Sequence, residues 1–242
     1  MLPELIYREE QTENFPLLFA LGAVASIIGF IAAELLFPTQ SDVLAVIFAA
    51  IPLVYPLTRF FLEDEKNNAP HMDEIMVYGA IFAGEVAAFT ALGFYMPEAF
   101  SIQNEIIGVT GYATNSVSFV GVLANNMIVY TSILAVASII GSAGSFILTW
   151  NASVLGVFFG YLINQAQSTT ALLGCTPTPS PLCYIPHASF EMTGFIVAGI
   201  AGSLISGALY REHFDLETWM DYLKLVLLGA VLVLMGAIVE TT

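Results

Sequence analysis

An all-α, polytopic bundle of transmembrane helices is the fold class this sequence predicts, and three observations carry the prediction. The first is composition: 57% of the 242 residues are hydrophobic and only 10% are charged, with a mean hydropathy of +0.82, too apolar for one soluble core. The second is patterning, because the apolar residues gather into seven stretches at 15–37, 43–61, 75–96, 122–148, 153–173, 186–210 and 222–239. Most of these are long enough, at ~1.5 Å of helix per residue, to cross ~30 Å of hydrocarbon. Little is left over, so residues 1–242 are expected to form a single integral membrane domain. The third is the placement of the basic residues, taken up below.

Taken in order, the first stretch follows a start, Met-Leu-Pro-Glu-Leu-Ile-Tyr-Arg-Glu-Glu, that lacks the basic n-region of a cleaved signal peptide, so it is read as a retained span. The second contains Pro52 and Pro56, each of which removes a backbone donor and favours a kink. The third carries Glu85 at its middle and a weak stripe of small residues at Gly79, Ala83, Ala87 and Ala91. Segment 97–121 mixes polar with apolar residues and predicts a short helix in the outer interface.

The fourth stretch opens with Asn125 and Asn126 and ends in Gly141-Ser-Ala-Gly-Ser145; a turn is placed at about 149–152, around Trp150 and Asn151. The fifth begins with Gly156 and Gly160. On the sixth, Gly194, Ala198, Gly202 and Ser206 form a stripe at four-residue spacing, with Gly199, Ser203 and Gly207 beside it. Such stripes let helix backbones approach closely. Residues 122–210 are therefore expected to form a close-packed central unit, with 15–121 more peripheral and 222–239 as the last span.

The basic residues set the orientation. There are five, Arg8, Arg59, Lys66, Arg211 and Lys224, and positively charged residues favour the cytoplasmic side. With the N-terminus inside and seven crossings, all five lie in or beside inner segments, and the outer segments hold no Lys or Arg. Six crossings, with the fifth stretch re-entrant, would carry Arg211 and Lys224 outside. The reading is thus seven spans, N-terminus in and C-terminus out, in the cell membrane.

The net charge of −15 collects on the inner side and argues against nucleic acid as a partner. Membrane lipids and other membrane proteins, or further copies of this chain, are the expected partners. Cys175 and Cys183 flank a Pro-rich loop that this topology places outside, where a disulfide between them can persist.

His187 and Glu191 stand four residues apart after Pro186, which is taken as the first turn of the sixth helix, and share one helical face. Ionisable groups in or at the edge of an apolar span are costly to keep there and so are candidate functional residues. Glu85 qualifies on the same ground, and the amides of Asn125, Asn126 and Asn151 can join helices by hydrogen bonds. A metal needs more ligands than His187 and Glu191, and His71 and His213 fall on the opposite side, so no metal and no cofactor is expected. A hydrolase would need a nucleophile or activated water beside the pair, and no serine, cysteine or HExxH motif stands out.

Asn125-Asn126 opening a span, Leu148-Thr-Trp-Asn-Ala-Ser-Val-Leu-Gly156, and Pro186-His-Ala-Ser-Phe-Glu191 leading into Ala198-Gly-Ile-Ala-Gly202 together resemble the stage II sporulation protein M family, in its archaeal-type form. The resemblance covers about 122–208 and is most specific at 186–191, where Ala188 replaces the family's usual glycine. It implies a scaffold or assembly role, since the bacterial namesake is a membrane anchor for peptidoglycan-degrading partners.

The leading expectation is a non-enzymatic scaffold for membrane or envelope proteins. The alternative is a transporter or channel with a polar pathway lined by Glu85, Asn125, Asn126, Asn151, His187 and Glu191. A weaker one is an intramembrane hydrolase using His187 and Glu191. A cavity joining Glu85 to His187 and Glu191 would favour the last two; dry, locally satisfied polar groups would leave the scaffold.

Overall fold

The computed structural model describes residues 14–67, 71–107, 118–166, 181–211 and 216–241, and these are almost entirely helical. Asn14 accepts the Leu17 amide and Pro16 sits in the first turn, a start that suits proline because its missing N–H has no helical partner there. From it runs α1, Phe15–Leu36. It is followed by α2, Ser41–Asn67, which contains both Pro52 and Pro56, and by α3, His71–Tyr95. A 3-10 turn at Pro97–Ala99 and the short α4, Ser101–Ile107, supply the helix expected in segment 97–121. Then come α5, Phe119–Ile140, α6, Ser145–Gln165, α7, Pro181–Arg211, and α8, Leu216–Thr241.

Among the described residues, six helical segments are long and apolar enough to cross a membrane: Phe15–Leu36, Ser41–Thr58, His71–Tyr95, Phe119–Gln165, Pro181–Tyr210 and Thr218–Thr241. The fourth has 47 residues and would extend roughly 70 Å as one straight helix. It is not straight. Gly141 has φ of 61°, a region that residues with a Cβ avoid, and a 3-10 turn over Gly141–Gly144 separates α5 from α6. This moves the expected turn from 149–152 to 141–144, and Trp150 and Asn151 lie inside α6. The polar Trp-Asn pair looked like a boundary; the glycine that can take the left-handed conformation makes it instead. Ser142 anchors the turn by donating to the Val54 carbonyl of α2 (2.6 Å) and by pairing with the Thr58 hydroxyl.

Helix directions follow from the contacts. Asn126, Ile133 and Ala137 of α5 meet Glu191, Gly199 and Gly202 of α7 in the same order, so these helices run parallel. Phe158 and Leu148 of α6 meet Tyr184 and Gly199 of α7, which makes that pair antiparallel. α8 returns along α7, with Val233 and Gly229 against Gly194 and Gly236 against Glu191. α3 and α6 run parallel, through Glu85–Thr149, Phe89–Gly156 and Phe94–Gly160.

α7 is the centre of the bundle: 67% of its apolar window is buried, against 28% for α1 and for α8. Its small residues explain this. Gly194 lies on α8 and Gly202 on α5, where a Cβ would meet the Leu134 carbonyl and the Ala137 side chain. Close approach is equally marked at α1–α3, where a Cβ on Gly84 would run into the Phe19 carbonyl and one on Gly22 into the Ile81 carbonyl. The stripe noted on the third span, Gly79, Ala83, Ala87 and Ala91, is not the packing face, since Ala87 and Ala91 are exposed and a Cβ on Gly79 would meet nothing within 4 Å.

Candidate functional site

Glu191 is one helical turn into the buried part of α7 and is 7% exposed. Its Oε1 accepts the Asn126 side-chain amide of α5. The Glu240 carboxyl of α8 lies within hydrogen-bonding range of it, and its aliphatic stem covers Gly236. Three helices therefore meet on one carboxyl group. Asn126 is oriented in turn by Asn125, whose exposed side chain donates to it at 3.5 Å.

His187, one turn before Glu191 on the same helix, is half-buried, and its described contact is aromatic. Its ring meets that of Tyr184 edge-on at 5.6 Å, and Tyr184 meets Phe158 of α6 at 4.8 Å. Pro186 is internal to α7 rather than at its start, because the helix begins at Pro181, which takes the first-turn position instead. Cys183 belongs to the first turn of this helix; Cys175 lies outside the described residues, and the expected Cys175–Cys183 bridge with it.

Glu85 sits elsewhere. It is 2% exposed on α3 and accepts the Thr149 hydroxyl of α6 at 2.8 Å. Asn151 donates to the Ile147 carbonyl of its own helix at 2.7 Å. Of the six polar candidates, the structure joins Asn125, Asn126 and Glu191 in one cluster, sets His187 a turn away among aromatic rings, and leaves Glu85 and Asn151 apart. A cavity of about 560 Å³ opens where the α1–α2 turn faces the start of α4, lined by Glu34, Asp42, Tyr95, Glu98 and Ser101 among others. It touches neither Glu85 nor the Glu191 cluster. Among the described residues no group of three or more His, Cys, Asp or Glu side chains is arranged to hold a metal ion.

The pairing of an asparagine on one apolar helix with the His–Glu helix is thus a structural feature, and the whole chain can be set against known families. Residues 17–242 match the family model described as Stage II sporulation protein M. The chain belongs to the stage II sporulation protein M family. The match reaches well beyond the stretch around 122–208 that first suggested it, taking in α1 to α4 and α8. No curated protein and no solved structure matches.

In this stage II sporulation protein M chain, Glu240 and Gly236 complete the Glu191 cluster, and the sequence reading passed over both. The signal was present: a carboxylate and a glycine four residues apart on the last apolar helix. Thr149 was also passed over, because nothing local marks a threonine as the partner of a glutamate 64 residues earlier.

Proposed function

We propose that this chain is a scaffold of the cell membrane: a polytopic protein that holds other membrane or envelope proteins in place and carries no reaction of its own. The observation that supports it most is that two carboxyls of the apolar interior, Glu85 and Glu191, are spent on helix pairing. Glu85 closes on Thr149 within the α3–α6 interface, and Glu191 closes on Asn126 and Glu240 where α5, α7 and α8 meet. Hydrogen bonds of this kind between apolar helices are worth about 1 kcal/mol each and fix which helices are neighbours. A bundle so pinned offers fixed outer faces to partners.

The scaffold crosses the membrane seven times in this reading. α5 and α6 are two crossings because α5 runs parallel to α7 and α6 antiparallel to it. Positions 59, 66, 211 and 224 then fall toward the end where α1 begins, and basic residues gathered at one end support the reading of that side as cytoplasmic. The C-terminus lies outside. Reporter fusions check this directly: a tag before residue 15 is expected to be protected in intact cells and one after residue 242 to be accessible, and accessibility of both from the same side would remove one crossing.

The scaffold role is tested by affinity purification of the full chain in mild detergent. The expected result is a small set of membrane or envelope proteins in fixed ratio to the chain. A chain that elutes alone, whatever the mild detergent, would rule the role out.

A further inference from the structure

A file of buried polar atoms leads from the cavity to Glu85. At its cavity end is Asp42, 7% exposed, whose carboxylate accepts the Ser101 hydroxyl (2.6 Å) and the Ile102 amide (3.2 Å). Gln103, the one fully buried polar side chain of α4, donates both to the Asp42 carbonyl at 3.0 Å and to the Ser153 hydroxyl at 3.4 Å. Ser153 begins a ladder on α6: Ser153, Thr149 and Ser145 recur at four-residue spacing, so they share one face, and none is more than 3% exposed. Thr149 donates to Glu85.

Two atoms of this file, Gln103 Oε1 and Ser145 Oγ, are buried with no hydrogen-bond partner. Leaving such groups unpaired is costly, and ordered water with two or more polar partners is the usual remedy. Both sit where such water would extend the file, one beside Ser153 and one a turn beyond Thr149. On the other side of Glu85 the seam is apolar. Val77, Ile81 and Phe82 are buried there, and the next titratable side chains on α3, Tyr78 and then Glu74, stand about two and three turns away. Of the helices packed on α3, α1 carries no titratable residue before Glu34 at the cavity, α6 carries Tyr161 alone, and α7 carries Tyr184, His187 and Glu191 toward its start and Tyr210 and Arg211 at its end.

We infer that Glu85 is a proton-binding site that exchanges with the aqueous side on which the cavity opens, through water held between Gln103, Ser153, Thr149 and Ser145. The exchange moves one proton between the Glu85 carboxyl and that water, with no other bond made or broken. It does not depend on the scaffold role or on the orientation of the chain.

Infrared spectroscopy of the full chain in lipid tests it. The protonated carboxyl band of Glu85 is assigned by its loss in Glu85→Gln, and its shift after transfer to D2O gives the exchange rate. Gln103→Leu is expected to slow that exchange by about tenfold or more, a barrier increase of about 1.4 kcal/mol. Ser153→Ala, a smaller change should Gln103→Leu fail to fold, is expected to slow it in the same direction, and Tyr78→Phe to leave it unchanged. The inference is overturned if no protonated band belongs to Glu85, if neither Gln103→Leu nor Ser153→Ala alters the rate, or if Tyr78→Phe is the variant that slows it. A band lost on adding sodium at constant pH would also overturn it, in favour of a cation site.

Discussion

Gly84→Ala is expected to weaken the bundle by about 1–3 kcal/mol, the cost of forcing an extra carbon into a filled interface. The new Cβ would meet the Phe19 carbonyl and the Ala23 amide nitrogen, and backbone atoms of a packed helix cannot swing aside as a flexible side chain does. α1 and α3 must move apart along their whole contact. Gly79→Ala is the matched control on the same helix, five residues away, where the added carbon meets nothing within 4 Å. Alanine is the better helix former by about 1 kcal/mol, so Gly79→Ala is expected to be neutral or stabilising. Opposite signs in detergent unfolding curves would confirm that α1–α3 packing is limited by backbone approach; equal effects would refute it.

The second large effect is expected at Glu191. Glu191→Ala strips the acceptor from the Asn126 amide and the partner from Glu240 at a buried three-helix junction, at a cost of about 1–3 kcal/mol for the donor left unpaired. Glu191→Gln keeps an oxygen for Asn126 and a donor for Glu240, so it is expected to retain most of the stability. Gly236→Ala tests the same junction from the opposite helix, because the added carbon falls on the Glu191 stem. If Glu191→Ala and Glu191→Gln unfold alike, the hydrogen bonds contribute little and the junction is held by packing.

Much of the fold was legible in the sequence because apolar run length reports directly on membrane-crossing helices. The α5–α6 boundary lies at Gly141-Ser-Ala-Gly-Ser145, small residues that serve helix packing as readily as a turn, so their composition alone did not mark it. Trp150 and Asn151 offered a polar pair within the apolar run, yet the chain reverses at Gly141, where a backbone conformation rather than solvation decides. Small-residue stripes gave the close contacts of α7, but on α3 the stripe chosen was the outward one. Both faces of α3 carry small residues, and only the position of α1 tells them apart.

The polar residues were legible as types and not as pairs. An asparagine or glutamate inside an apolar helix announces that it needs a partner. Which partner it finds depends on helix order around the bundle, which one sequence does not encode locally. Asn126 with Glu191 spans 65 residues and Glu85 with Thr149 spans 64. Glu240 was overlooked because a charged residue at the end of the last helix reads as an ordinary solvated terminus.

The central claim, that Glu191 organises a bundle whose purpose is to hold partners, is met most directly by comparing the proteins that co-purify with the wild-type chain, with Glu191→Ala and with His187→Ala in mild detergent. The account predicts partners in fixed ratio to the wild-type chain and their loss from Glu191→Ala while that variant still reaches the membrane. Partners retained in full by both variants, at wild-type stability, would contradict it.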